Sequence, residues 1–149
     1  QTVCTLIAHE AVRAFFGKPT LLMHGDTLCT DDIAYQQARQ LLRSEAFIAD
    51  FLKKPLQERE LIAAEYRKKS GEATSLLAAE IMDVNRQAVT DVMRKHAVCR
   101  LVHGHTHREA IHQLDIDGRT CERIVLGEWH PDHGMALSVS ATGINALVV

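Results

Sequence analysis

The feature that most constrains the fold is a row of histidines at the end of an apolar run. Residues 98–102 are mostly apolar, and His103, His105 and His107 follow at every second position, with Gly104 after the first. A glycine at this point predicts that a β-strand ends where the histidines begin. Neutral imidazole is the commonest metal ligand, so the array favours a metal site. A polar loop that is merely rich in histidine is the alternative.

A second strand end in the chain has the same form. The strand predicted for Thr20–Met23 runs into His24, Gly25 and Asp26. In α/β proteins, ligands bind at the carboxyl ends of the strands. If the two strand ends are neighbours, His24 converges with His105 and His107. A hydrogen-bonded core histidine is the alternative for His24.

Composition sets the class of protein. The chain has 149 residues, of which 46% are hydrophobic and 24% charged, and its net charge is −2. These values are typical of one globular domain with a sizeable core. A nucleic-acid-binding protein would normally be basic, so no nucleic-acid partner is expected. No apolar run reaches the roughly 18 residues of a transmembrane helix, and no signal peptide is recognisable.

The four cysteines are far apart and form no C-x-x-C pair, which predicts reduced thiols rather than a disulfide framework. They are Cys4, Cys29, Cys99 and Cys121. The chain begins with Gln1 inside sequence that already has the character of a strand. We therefore expect it to be part of a longer protein.

Turn and capping residues divide the chain into a β-rich start and a helical middle. Gly17-Lys18-Pro19 predicts a hairpin, whose first arm could be helix or strand by sequence. Helices are expected from Asp32 onwards. Thr30 is the expected N-cap of the first of them, Pro55 begins another, and Ser70-Gly71 is expected to break that helix.

The remaining sequence predicts one more helix and then a β-meander. Asn85 lies in a capping segment before a helix at Arg86–His96, in which Val89, Val92 and Met93 recur with helical spacing. Asp117-Gly118 predicts a hairpin turn. The strands expected after the histidine array are Ala110–Ile116, Cys121–Leu126, Met135–Val139 and Ala146–Val149.

Four stretches, taken together, resemble a known family. They are Met23–Asp32 (MHGDTLCTDD), Ile81–Asn85 (IMDVN), His103–Arg108 (HGHTHR) and Val125–His130 (VLGEWH). In this order they resemble the bacterial UDP-2,3-diacylglucosamine diphosphatases of lipid A biosynthesis, which are calcineurin-like metallophosphoesterases. The third stretch alone would indicate only the superfamily. The first and second make the resemblance specific, and it extends over all 149 residues.

The resemblance implies an α/β fold. Residues 1–149 would form the C-terminal portion of one metallophosphoesterase domain, a four-layer αββα sandwich, with a helical lid inserted at about residues 32–82. The family's Asp-x-His, Gly-Asp and Gly-Asn-Arg-Asp motifs are not in this sequence and would precede Gln1.

The resemblance also assigns residues to a dinuclear manganese centre. His24 and His105 would bind one Mn²⁺ ion and His107 the other, with further ligands supplied by the N-terminal motifs. His105 would also lie beside the reacting phosphate, as a catalytic and substrate-binding residue.

Four more positions correspond to substrate contacts in the family. Asp32 and Ser70 match the family's residues, whereas Thr74 and Leu77 replace an asparagine and a lysine. Losing the lysine removes a cation that could meet a phosphate. Glu109 likewise stands where the family usually has proline.

The implied reaction is attack of water on the α-phosphorus of UDP-2,3-diacylglucosamine, which gives UMP and 2,3-diacylglucosamine 1-phosphate (lipid X). The implied protein is a monomer in peripheral contact with lipid on the cytoplasmic side of the inner membrane. Two alternatives stay open. One is a broader metallophosphoesterase acting on other nucleotides or phosphodiesters, and the other is an inactive fragment that binds metal or lipid.

Overall fold

The structure is a computed structural model and describes residues 7, 9–74, 81 and 83–149. The chain divides into two compact units. Gln1–Leu28 and Val84–Val149 form the first, which we call the sheet unit, and Cys29–Asp83 form the second, the helical unit. The expected class, a mixed α/β protein, is confirmed.

The sheet unit is built on five strands in the spatial order β1-β2-β3-β5-β4. β3 lies between β2 and β5 and pairs with both in parallel. The β1–β2 and β4–β5 pairs are antiparallel. The carboxyl ends of β2, β3 and β5 therefore meet at one edge of the sheet, where α/β proteins place ligands. The strands are β1 (Glu10–Phe15), β2 (Lys18–Met23), β3 (Arg100–His103), β4 (Ala110–Ile116) and β5 (Arg119–Val125).

Both hairpins are closed by two-residue turns of the kind that matches strand twist. Phe16 and Gly17 have φ of 48° and 78°, and Asp117 and Gly118 have φ of 55° and 74°. Positive φ at both central residues defines the type I′ turn, which joins two strands without splaying them. Both predicted hairpins are confirmed, and the first arm, left open by sequence, is a strand.

Helix α4 (Arg86–Lys95) supplies the other half of this unit's core. The Asn85 side chain caps it by accepting from the backbone N–H groups of Gln87 and Ala88. The predicted apolar face is confirmed, because Val89, Val92 and Met93 are all buried. They cluster with residues that include Leu21 of β2 and Leu101 of β3, both fully buried. Fully burying one such side chain contributes about 1.5–3 kcal/mol.

A second, two-stranded sheet follows. It consists of β6 (Met135–Ser140) and β7 (Gly143–Val148), paired antiparallel. The two predicted closing strands are thus confirmed, although β7 begins at Gly143 rather than at Ala146. Gly143 has φ of 156°, a conformation that L side chains rarely adopt, so glycine is favoured where the turn meets the strand.

The helical unit contains α1 (Ile33–Leu42), α2 (Glu45–Lys53) and α3 (Leu56–Thr74). Thr30 was the wrong cap. Asp32 caps α1, and its Oδ1 accepts from the Tyr35 backbone N–H at 2.9 Å. Ser44 caps α2 in the same way, by accepting from Phe47. Pro55 immediately precedes α3 and its carbonyl accepts from the Arg59 N–H, as expected of a proline at a helix start.

The predicted helix break at Ser70-Gly71 is wrong, since α3 continues through both residues. A glycine in a helix interior costs about 1 kcal/mol relative to alanine, so one glycine weakens a helix without ending it. Lys69 pairs with Glu65 one turn earlier at 2.6 Å. Such i, i+4 pairs support an exposed helix weakly.

The prediction of reduced thiols is only partly right. Cys29 is buried and does not belong to a disulfide, but Cys99 and Cys121 are joined as a disulfide, with their Cα atoms 4.4 Å apart. The sequence spacing did not predict this disulfide, because its two cysteines are brought together by the parallel pairing of β3 and β5. The Glu122 N–H donates to the Cys99 carbonyl at 2.9 Å, which holds the two cysteine-bearing segments side by side. Cys4 lies outside the described residues.

Over the part of the chain that the structure describes, no helix has both the length and the apolar character needed to cross a membrane.

Glu10, on β1, ties the edge of the sheet to the end of α4. Its carboxylate accepts from Lys95 Nζ at 2.7 Å and meets His96 Nε2 at 2.6 Å. The hydrogen bond from Lys95, followed by that from His96, lowers the pKa of Glu10. Its contribution to stability is therefore complete above the ordinary carboxyl pKa and is lost as the pH falls through the lowered value.

We expect Glu10→Gln to lower the free energy of unfolding at pH 7 by about 1–2 kcal/mol, because it weakens hydrogen bonds between charged groups. At a pH below the lowered pKa, the variant and the wild type should converge. Urea unfolding at the two pH values measures this. Asp132→Asn is the control, as its side chain is 83% exposed and should matter little at either pH. An equal deficit at both pH values would contradict the proposed linkage.

Candidate metal and phosphate site

The two strand ends singled out by sequence are neighbours. Parallel pairing aligns Met23 of β2 with His103 of β3. One residue further on, the Gly104 N–H donates to the His24 carbonyl at 3.0 Å, which continues the pairing past the strands. The imidazole rings of His24 and His105 lie with centroids 5.0 Å apart and are tilted by 55°. The structure therefore brings together two of the three histidines expected to converge.

The backbone that presents His105 is strained. The Thr106 N–H donates to the Gly104 carbonyl at 2.8 Å, which closes a three-residue γ-turn around His105. His105 has φ of 66°, the sign found in the rare form of this turn. His107 also has a positive φ, 53°. Non-glycine residues in this region cost about 1–3 kcal/mol each and cluster at functional sites.

His103 has a different role from its neighbours. It is fully buried, and its Nδ1 lies 2.8 Å from the Gly104 carbonyl oxygen. Gly25 packs against it so closely that a Cβ added to Gly25 would lie 2.7 Å from His103 Nδ1. His103 is thus a buried supporting residue, unlike His24 and His105.

Asp26 is a member of this neighbourhood that the sequence did not single out. Its carboxylate Oδ1 lies 3.1 Å from His24 Nδ1, and its side chain is only 4% exposed whereas that of His24 is 56% exposed. The sequence signal is that Asp26 follows His24 by two residues. That spacing alone does not distinguish a site carboxylate from an ordinary turn residue.

The third predicted ligand, His107, lies beside a second group of polar side chains. Its Nδ1 is 3.8 Å from Glu128 Oε1, and Glu128 Oε2 is 3.7 Å from His130 Nε2. His130 and His133 stack with ring centroids 4.5 Å apart. Glu128 was also missed as a site residue by sequence, although it lies within the VLGEWH stretch.

The predicted substrate-contact residues belong to the helical unit. Asp32 caps α1, so its carboxylate is engaged with the backbone of that helix. Ser70 is exposed on α3. The side chain of Thr74 and the whole of Leu77 lie outside the described residues.

The donor types at this edge of the sheet fit a metal ion. Imidazole nitrogen and carboxylate oxygen without thiolate suit a borderline-to-hard divalent cation. The Asp26 carboxylate lies on the Nδ1 side of the His24 ring, which leaves Nε2 on the opposite side to coordinate, a common arrangement in metal sites. Within residues 7, 9–74, 81 and 83–149, no three His, Cys, Asp or Glu side chains converge closely enough to hold a metal. The described residues thus fit part of a metal site, to which further ligands must be added.

No protein-family profile matches the chain. The chain is similar to proteins named UDP-2,3-diacylglucosamine hydrolase. It is 45% identical to that of Nitrosococcus oceani over 143 residues, which cover 95% of this chain and 56% of that protein. It is 46% identical to that of Pseudomonas aeruginosa (strain UCBPP-PA14) over 140 residues, 94% of this chain and 58% of that protein.

The match with the protein of the same name from Enterobacter sp. (strain 638) is 44% identical over 143 residues, 96% of this chain and 59% of that protein. The chain therefore spans a little over half the length of the curated relatives it matches. The resemblance found in the motifs is confirmed by these identities over the whole chain. Along nearly its entire length, the chain is a homologue of the UDP-2,3-diacylglucosamine hydrolases.

Proposed function

We propose that this chain is the C-terminal portion of a metal-dependent hydrolase that cleaves the pyrophosphate bond of UDP-2,3-diacylglucosamine. The observation that carries the proposal is the convergence of His24 and His105, 5.0 Å apart, at the carboxyl ends of adjacent parallel strands. The relatives named for this substrate supply the substrate class.

His24 and His105 would hold one Mn²⁺ ion, and His107 would hold a second. The remaining ligands would come from the part of the relatives that this chain does not match. Two bound ions lower the pKa of water towards neutrality and neutralise charge on the phosphoryl oxygens. The oxygen of water would bond to the α-phosphorus as the bond from that phosphorus to the bridging oxygen breaks. The bridging oxygen would leave on the sugar phosphate, and the proton lost by water would pass to solvent. UMP and 2,3-diacylglucosamine 1-phosphate are then released.

The residues of the chain position these groups. The γ-turn at His105 holds its imidazole beside that of His24. Both side chains could therefore bind the same metal ion. His105 would act at the reacting phosphate as well as at the metal. Asp32 and Ser70 would contact substrate, together with Thr74 and Leu77 at positions where the family has an asparagine and a lysine.

We further propose that the helical unit is the lid insertion of one four-layer αββα domain and that it receives the two acyl chains. Support comes from large apolar side chains that the unit leaves exposed; Leu52, Leu56 and Leu61 are 60%, 62% and 72% exposed. These exposed leucines are available for contact with acyl chains or with a lipid surface. The whole protein would be a monomer attached peripherally to the cytoplasmic side of the inner membrane.

The test measures UMP release by the whole protein in which this chain occurs, with Mn²⁺ added to metal-free enzyme. UDP-2,3-diacylglucosamine is compared with UDP-glucose and with bis(p-nitrophenyl) phosphate. We expect Mn²⁺-dependent turnover of the diacyl substrate, with kcat/KM at least about a hundredfold above the others, since acyl burial contributes several kcal/mol.

Equal turnover of all three substrates would favour a broader phosphoesterase. The replacement of a lysine by Leu77 is the observation that keeps that second candidate in view, because it removes a phosphate-binding cation. Metal binding without turnover of any substrate would favour an inactive binding protein.

A further inference from the structure

Asp26 places a buried carboxylate directly behind an exposed imidazole. We propose that Asp26 is a positioning residue that fixes the tautomer and the orientation of His24, so that Nε2 is the nitrogen presented to a metal ion. This inference rests on the proposed function, because it supposes that His24 is a metal ligand. It assigns to Asp26 a role through His24 and no contact with substrate.

The position of the carboxylate is set by the core rather than by the site. Asp26 begins a short 3₁₀ turn, Asp26–Leu28, in which the Leu28 N–H donates to the Gly25 carbonyl at 3.0 Å. Leu28 is 2% exposed and packs in the core cluster. The Asn85 N–H donates to the Leu28 carbonyl at 2.8 Å, which anchors the turn to the start of α4. The turn therefore cannot shift without disturbing the core.

The contrast in exposure assigns the roles within the pair. Asp26 is 4% exposed at its side chain and His24 is 56% exposed, with 3.1 Å between Oδ1 and Nδ1. A buried negative charge this close to Nδ1 attracts a proton there, so it favours the tautomer of His24 that is protonated on Nδ1. The lone pair of His24 then lies on Nε2. A carboxylate that acted as a ligand itself would face the exposed side of the site.

The chain also contains a pair with similar contact and different surroundings. Asp132 Oδ1 lies 2.8 Å from His133 Nδ1, but both side chains are largely exposed, at 83% and 55%. Water competes with that hydrogen bond, and no buried turn holds the carboxylate. Asp132→Asn is therefore the matched control for Asp26→Asn.

The first measurement is the ¹⁵N spectrum of the histidine rings in the metal-free whole protein, at a pH where the rings are neutral. We expect His24 to be protonated on Nδ1 and unprotonated on Nε2. In Asp26→Asn the Nε2-protonated form should appear, because an amide can also donate to Nδ1. This readout needs no metal and no activity, and a purely structural role would leave it unchanged. Since the wild-type spectrum alone tests the tautomer, failure of a variant to fold would not prevent a decision.

The second measurement is Mn²⁺ affinity by isothermal calorimetry. Asp26→Asn should raise the Kd by about 10–100-fold, the usual effect of removing a carboxylate behind a metal-binding histidine. Asp132→Asn should change neither the His24 spectrum nor the Kd. A wild-type His24 protonated on Nε2, or an Asp26→Asn protein with unchanged tautomer and Kd, would overturn the proposal. If wild-type protein binds no Mn²⁺, the proposed function fails, and the spectrum still decides whether Asp26 positions His24.

Discussion

Replacing His105 by alanine in the whole protein is expected to lower kcat for UMP release about a thousandfold or more. Metal ions contribute several kcal/mol to stabilising the charge that develops in phosphoryl transfer, and about 4 kcal/mol corresponds to a factor of about a thousand. His105 is also the residue proposed to lie at the reacting phosphate, so both contributions are lost together. Steady-state kinetics with saturating Mn²⁺ and diacyl substrate measures the effect.

Folding should be nearly unaffected by this substitution. The His105 side chain is partly exposed, and alanine meets the same backbone strain at φ of 66°. The midpoint of thermal unfolding should therefore stay within a few degrees of the wild type, so that a loss of activity reports on the site. Thr142→Ala changes an exposed residue in the turn between β6 and β7 and should keep wild-type kcat. Near-normal turnover by His105→Ala would remove the basis of the proposed function.

Gly25→Ala should strongly destabilise the sheet unit, at a cost of about 2–5 kcal/mol. Gly25 has φ of 107°, where a side chain is strained. The added Cβ would also lie 2.7 Å from His103 Nδ1 and 3.2 Å from the Gly104 carbonyl oxygen. The strained backbone costs about 1–2 kcal/mol and overpacking about 1–3 kcal/mol. Urea unfolding, followed by circular dichroism, measures the change.

Gly17→Ala separates the two contributions. Gly17 also has a positive φ, 78°, but no atom lies within 4 Å of the Cβ that alanine would add. Only the backbone contribution applies there, so the expected cost is about 1–2 kcal/mol. If the two variants lose equal stability, the close packing of Gly25 on His103 is not energetically important.

Local chemistry explains why much of this fold was predictable. Phe16-Gly17 and Asp117-Gly118 fix two hairpins by turn type. Asn85 and the spacing of Val89, Val92 and Met93 fix α4 and the face that it buries. The repeated His-Gly at two strand ends then predicted the convergence of His24 with His105, once parallel pairing was assumed.

The features that escaped prediction depend on which strands become neighbours or on competition between weak local signals. The Cys99–Cys121 pair exists because β3 and β5 are adjacent, which spacing along the chain does not encode. Asp26 can be recognised as a site residue only when the burial of its side chain is known. Ser70-Gly71 ended the predicted helix on propensity alone, whereas a helix of 19 residues easily tolerates one such glycine.

The hydrogen bond from the Asn85 N–H to the Leu28 carbonyl has a consequence for how sequences of this type can diverge. It closes, at 2.8 Å, the base of the whole segment between β2 and α4. The entropy of closing a loop grows only slowly with length, by about 0.6 kcal/mol for each doubling. Once the base is held by this bond, the segment can lengthen, shorten or be replaced at little cost to the sheet. Substitutions and changes in length can thus accumulate in the helices while the histidine-bearing strand ends keep their register.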